Sequence, residues 1–156
     1  MNFYDTVIKM TGWVEIEHKD KEGNLLDSRY INNVVTQSGR ALAGKLLIGT
    51  TATAATYLCL GSNLTTTANS CKTIAEHTYA AEGLGRTSAT VSMVGISTAK
   101  WLFTWTCGSD GMIVQEEAIA HQSSVANSEL VAMQTFGSIT LNSGDTISVS
   151  HYISIA

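Results

Sequence analysis

Hydrophobic and polar positions alternate with a period of two along most of this chain, and one short stretch breaks the rhythm. From Gly12 to Asp20 the sequence GWVEIEHKD sets Trp13, Val14 and Ile16 against Glu15, Glu17 and Lys19, the pattern of a half-exposed strand. Asp20-Lys21-Glu22-Gly23-Asn24 supplies turn residues that tolerate positive φ, and LLDSRYINNVV resumes as a second strand, so a hairpin is expected. The rhythm then changes. Thr36 or Ser38 reads as a helix N-cap, Gly39 to Ile48 as a helix of about three turns, and Gly49 as its C-terminal stop. Leu42, Leu46 and either Ala43 or Leu47 share one face, which is expected to enter the core. Gly44 weakens the helix interior by about 1 kcal/mol, so tertiary packing has to hold it.

The remainder reads as β structure. Tyr57-Leu58-Cys59-Leu60 is a short apolar run, expected to be buried on both faces. Arg86 to Val94 alternates with Thr87, Ala89, Val91 and Met93 on one side. Lys100 to Cys107 places Trp101, Phe103 and Trp105 on one face, and each ring buries roughly 150–250 Å². Met112 to Ala120, Glu129 to Phe136 and Gly137 to Leu141 follow, the last two separated by a kink, with turns at Ser109-Asp110-Gly111 and Asn142-Ser143-Gly144-Asp145. Thr146 to Ile155 alternates strictly and carries Ile147, Val149, His151, Ile153 and Ile155 on one face, so His151 is expected as a hydrogen-bonded interior or interface residue. About eight strands and one helix predict an all-β antiparallel sandwich, with a jelly roll as one arrangement of it. Residues 13–156 are expected to form a single domain, with 1–12 an N-terminal arm or a first strand.

Composition narrows the function classes. Only 14% of the 156 residues are charged, against an ordinary level of about 25%, which suits packing against other protein as well as it suits a neutral sandwich face. Residues 51–156 hold seven acidic and three basic residues, Lys72, Arg86 and Lys100, and the net charge is −4. Nucleic acid and membrane surfaces need clustered cations, so neither is expected as a partner. Nothing at the N-terminus reads as a secretory signal, and no apolar run is long enough for a transmembrane helix. Cys59, Cys71 and Cys107 are odd in number and widely spaced, and are expected reduced, Cys59 and Cys107 as small apolar groups on strands.

The chemistry-bearing residues form no familiar constellation. No G-x-S-x-G is present, Cys107 beside Gly108 is the nearest nucleophile candidate, and His18, His77, His121 and His151 are scattered. Glu116 and Glu117 are adjacent on a strand and so point to opposite faces, which precludes joint acid–base work on one substrate. Whichever points inward needs a cationic partner, for which Arg86 is a candidate. No catalytic, cofactor-binding or metal-ligating residue is assigned, no cofactor is expected, and the chain is not expected to be an enzyme.

The order of segments carries a resemblance. NNVVTQSGRALAGKLL is followed by YLCLGSN, a Thr-rich loop, AAEGLGRTSATVS, an aromatic strand, IVQEEAIAHQ and a closing ITLNSGDTISVSHYISI. This order, over about residues 13–155, resembles small tailed-bacteriophage virion proteins, with LGSN departing from a GTG-like turn frequent there. The resemblance implies a β-sandwich with a structural role. It implies a capsid decoration (cement) protein that contacts the major capsid protein as a homo-oligomer, a trimer favoured, made in the host cytoplasm and resident in the virion. The alternative it implies is a tail, fibre or head-appendage component contacting a host receptor, with the loops 63–71 and 123–128 as contact tips.

Overall fold

The computed structural model describes residues 9–50, 53–63, 73–76, 82–124 and 129–156. The strands are β1 (Met10–Lys19), β2 (Leu25–Asn32), β3 (Val34–Val35), β4 (Tyr57–Gly61), β5 (Thr87–Ser88), β6 (Thr90–Val94), β7 (Thr98–Thr106), β8 (Met112–Ala120), β9 (Leu130–Leu141) and β10 (Thr146–Ile155), with α1 (Gln37–Leu47) between β3 and β4. They form two antiparallel five-stranded sheets, β2-β1-β10-β7-β6 and β3-β9-β8-β4-β5, a β-sandwich as the periodicity predicts. The ten segments make eight runs. β2 and β3 are one run that changes sheet at Asn33, and β5 and β6 are another that changes sheet at Ala89. β1 already begins at Met10, so residues 10–12 belong to the first strand.

Local sequence explains most of the elements. The first hairpin turns where Gly23 adopts φ +88°, and Asp20 closes the turn by accepting from the Asn24 backbone N–H at 2.8 Å. Thr36 is the N-cap of α1, its hydroxyl accepting from the Gly39 N–H at 3.0 Å and donating to carbonyls of β9. Gly49, at φ +69°, follows the last turn. Between the sheets pack Val14 and Ile16 of β1, Trp101 and Trp105 of β7, and Ile147, Val149 and Ile153 of β10. They meet Leu58, Leu60, Ile119, Ile139 and Leu141 of the other sheet. β4 is buried on both faces, because Cys59 points away from this core into a second cluster with Ile74, Ala118, Ala120, Leu130 and Met133.

Three expectations are corrected. The stretch 86–94 is two short strands, since Ala89 leaves the ladder where its N–H reaches the Thr56 carbonyl at 2.7 Å. The kink near Gly137 does not divide a strand. β9 is continuous and bulges: its pairing jumps from Thr135 opposite Glu116 to Ile139 opposite Val114, and Arg29 donates to the carbonyls of Gly137 and Ser138 in the bulge. Finally, α1 buries only Gly39 and Leu42, leaving Leu46 half-exposed and Leu47 and Ile48 at 78% and 74% exposure.

The helix lies where it does because Gly39 sits on β9: a Cβ there would be 2.1 Å from the Val131 carbonyl oxygen. Gly44 faces open space. Gly39→Ala should therefore destabilise by about 1–3 kcal/mol despite its better helix propensity. Gly44→Ala should stabilise by about 0.5–1 kcal/mol, both read by urea unfolding.

Candidate functional site

Apart from the helix cap Thr36, the buried polar side chains among the described residues fall into three groups, and each is placed by a feature of the strands. The first lies between the sheets. β8 alternates with Met112 and Val114 inward, slips phase opposite the β9 bulge, and resumes with Glu117 and Ile119 inward. Glu117 thereby meets His151 of β10, whose Nδ1 is 2.9 Å from Glu117 Oε2, both side chains fully buried. The other imidazole nitrogen, Nε2, contacts the Asn33 carboxamide. Asn33 reaches it because residue 12 is glycine: a Cβ there would lie 2.1 Å from the Tyr152 carbonyl and 2.6 Å from Asn33 Oδ1. Carboxylate, imidazole and amide thus run in line from one sheet, through the other, to the corner where β2 becomes β3. The order is that of a general-base relay, but both the acid and the imidazole are sealed from solvent, so the group clips the sheets together.

The second group lies on the outer face of the β8–β4 sheet. Glu116 points there and accepts from the Ala75 backbone N–H at 2.8 Å, while the Ala75 carbonyl accepts from Ser62 at 2.9 Å. Glu76 next to it pairs with Arg86, whose Nε donates at 3.0 Å and whose side chain is almost fully buried. Burial opposes that charge, but the Glu76 carboxylate holds the guanidinium above its ordinary value. Arg86 also donates to the carbonyls of Gln122 and Ser124. Residues 73–76 therefore form a strap with Ile74 seated over the second core cluster.

The third group closes the opposite end of β1 and β10. His18 Nε2 is 3.1 Å from Asp145 Oδ2, and Asp145 also accepts from the Asn142 N–H at 2.9 Å. The Asn142 hydrogen bond, with His18 beside it, holds the Asp145 carboxyl below its ordinary value although burial opposes this. Asp110 Oδ1 accepts from Ser143 N–H at 2.8 Å and ties the two turns together.

These placements settle several expectations. Glu116 and Glu117 do lie on opposite faces, and the inward partner is His151, not Arg86, because Arg86 lies on the outer side of the sheet with Glu76. Cys59 and Cys107 are buried free thiols, donating to the carbonyls of Ala118 and Ser109, and burial pushes both upward in pKa. A thiol held protonated is a poor nucleophile, which counts against Cys107 as one. Among the described residues no three His, Cys, Asp or Glu side chains group as metal ligands. Cys71, His77, residues 64–71 and residues 125–128 lie outside the described residues.

Two surface features went unread in the sequence. On the outer face of the β2–β6 sheet Trp13 stacks on Tyr152 (4.6 Å, 9°) and on Tyr30 (6.4 Å, 27°). Lys100 Nζ lies 5.3 Å from the Tyr152 ring, and Tyr30, on the outer strand β2, is 66% exposed. The signal was cross-strand register, which pairs Trp13 with Tyr152. At one end of the sandwich an apolar cavity of about 370 Å³ opens between α1, β6 and β10, floored by Leu42, Ala55, Ala99 and Trp101. Comparison with protein-family models, with curated proteins and with solved structures returns no match.

Two outcomes follow. His151→Leu should destabilise by about 3–5 kcal/mol, because it leaves a buried carboxyl without its partner, and Glu117→Leu added to it should recover most of the loss. Urea unfolding of the four-member cycle checks this. Asp145 contributes stability that is present above the ordinary carboxylate pKa of about 3.9 and is lost as pH falls through its lower folded value. Asp145→Asn should therefore flatten the acid limb of the stability profile below about pH 4, measured by thermal unfolding across pH.

Proposed function

We propose that the chain is a tailed-phage virion structural protein, a capsid decoration (cement) protein that binds the outer surface of the shell and bridges neighbouring major capsid protein subunits. The observation that supports this best is where the segments of the resemblance fall. Thr36 caps the helix, Leu58 and Leu60 fill the core, Glu117 holds His151, and Asp145 fixes the closing turn. Residues that define the pattern are spent on the scaffold, as suits a protein whose work is to occupy and stiffen a surface.

In this reading the protein binds as a homo-oligomer, a trimer favoured, and acts by mass action. A ligand that prefers the expanded shell stabilises it by about 2.7 kcal/mol per site at a hundredfold excess over Kd. Nucleic acid, membrane, metal and cofactor have no part in it. A second reading, a tail, fibre or head-appendage component that touches a host receptor, is favoured by the exposed Tyr30 stacked on Trp13.

Purified protein added to expanded shells lacking it should bind saturably and raise the temperature at which the shells disrupt. Absence of binding to any shell, with antibody label at the tail tip, contradicts the cement reading. Loss of adsorption in a Tyr30→Ser virion that assembles normally would instead select the second reading.

A further inference from the structure

We infer that the α1–β6–β10 end of the sandwich is the surface on which a second copy of this chain docks. The inference deepens the self-association within the proposed function and rests on that part of it. Three observations carry it.

The first is area and chemistry. Leu47, Ile48, Met93 and Ile96 are 78%, 74%, 62% and 102% exposed, and Leu46, Val91 and Ile155 are exposed around them. Together they present on the order of 800 Å² of exposed residue surface, more than the roughly 300–600 Å² of the largest apolar patch on an ordinary monomer. It is close to the ~800 Å² that each partner gives to a standard interface. No residue lining the cavity among them is charged, and residues 90–99 (TVSMVGISTA) carry no charge at all.

The second is the state of the sheet edges. β6 ends its sheet, every residue from Thr90 to Val94 is exposed, and among the described residues it pairs only with β7. It bears no Lys, no Pro and no bulge, the devices that normally protect an edge. The opposite edge, β2, is protected: Asp27 and Arg29 pair along it at 2.7 Å, and Arg29 is tied to carbonyls of β9. The other two edges, β3 and β5, are two residues long. The unprotected edge of β6 therefore adjoins the apolar end.

The third is shape. Leu47 lines a hollow with Ala43, Leu46 and Ile155, three residues that also line the cavity, and the cavity is large enough to take such a side chain. The same surface thus carries both knob and hole, so one copy can offer the first where another offers the second.

The test is the mass of the purified chain in solution, without any shell, so that its failure is distinguishable from failure to bind a capsid. Sedimentation velocity and light scattering at roughly 100 μM, above the micromolar-to-picomolar range of interfaces this size, should give a multiple of 16.6 kDa. Leu47→Glu, on the helix, and Met93→Glu, on the edge strand, should each weaken association at least tenfold. Tyr30→Ser on the far edge should leave it unchanged. Unaltered circular dichroism and unfolding midpoints establish that each variant folds, since all three side chains are mostly exposed. A monomer at that concentration, or an oligomer that survives both glutamate variants, overturns the inference.

Discussion

The contact between Glu117 and His151 is the constraint around which the sandwich is arranged. It joins β8 to β10, hence one sheet to the other, and through Asn33 it reaches the corner at which β2 passes between them. Burying an ionisable pair is expensive, and an apolar pair of equal volume would pack with less penalty. What the polar pair supplies is a demand for register. A one-residue slip of β10 would turn His151 to the outside and leave the Glu117 carboxyl alone in the core. The β9 bulge and the glycine at position 12 then become requirements. The bulge shifts the phase of β8 so that Glu117 faces inward, and Gly12 leaves room for Asn33.

A similar economy runs through the other buried polar groups. Glu116 and Glu76 hold the strap, and with it Ile74, over Cys59, and Asp145 and Asp110 lock the turns below His18. The described side chains with the greatest chemical potential are thus engaged inside the scaffold. The apolar ones are distributed differently: α1 gives Leu42 to the core and keeps Leu47 and Ile48 outside, and β6 turns Met93 to the rim of an open cavity. That division suits a protein that works through contact with other protein.

Much of this was legible in the residues. The Asp20–Asn24 turn, a cap at Thr36 or Ser38, the double burial of Tyr57–Leu60, the inward aromatics of β7 and the place of His151 on an apolar face all follow from local chemistry or a clean period, and the structure selects Thr36 and an interior His151. What was not legible depended on non-local pairing. Which of Glu116 and Glu117 faces inward is decided by the bulge on β9, a strand reached only after the intervening loop. Arg86 finds Glu76 because the strap folds over the outer face, and no periodicity marks that fold. The helix stripe predicts a core face because three apolar positions share one side. The close seat of Gly39 on Val131 instead tilts the burial towards the N-terminal half of the helix.

Amide hydrogen exchange, compared between associated and diluted protein, tests this division of labour most directly. Amides of β8 and β10 flanking Glu117 and His151 should exchange only by global unfolding in both states, whereas those of Thr90–Val94 and Leu46–Ile48 should gain protection only on association. Fast exchange beside His151, or no change along β6 when copies associate, would contradict the account.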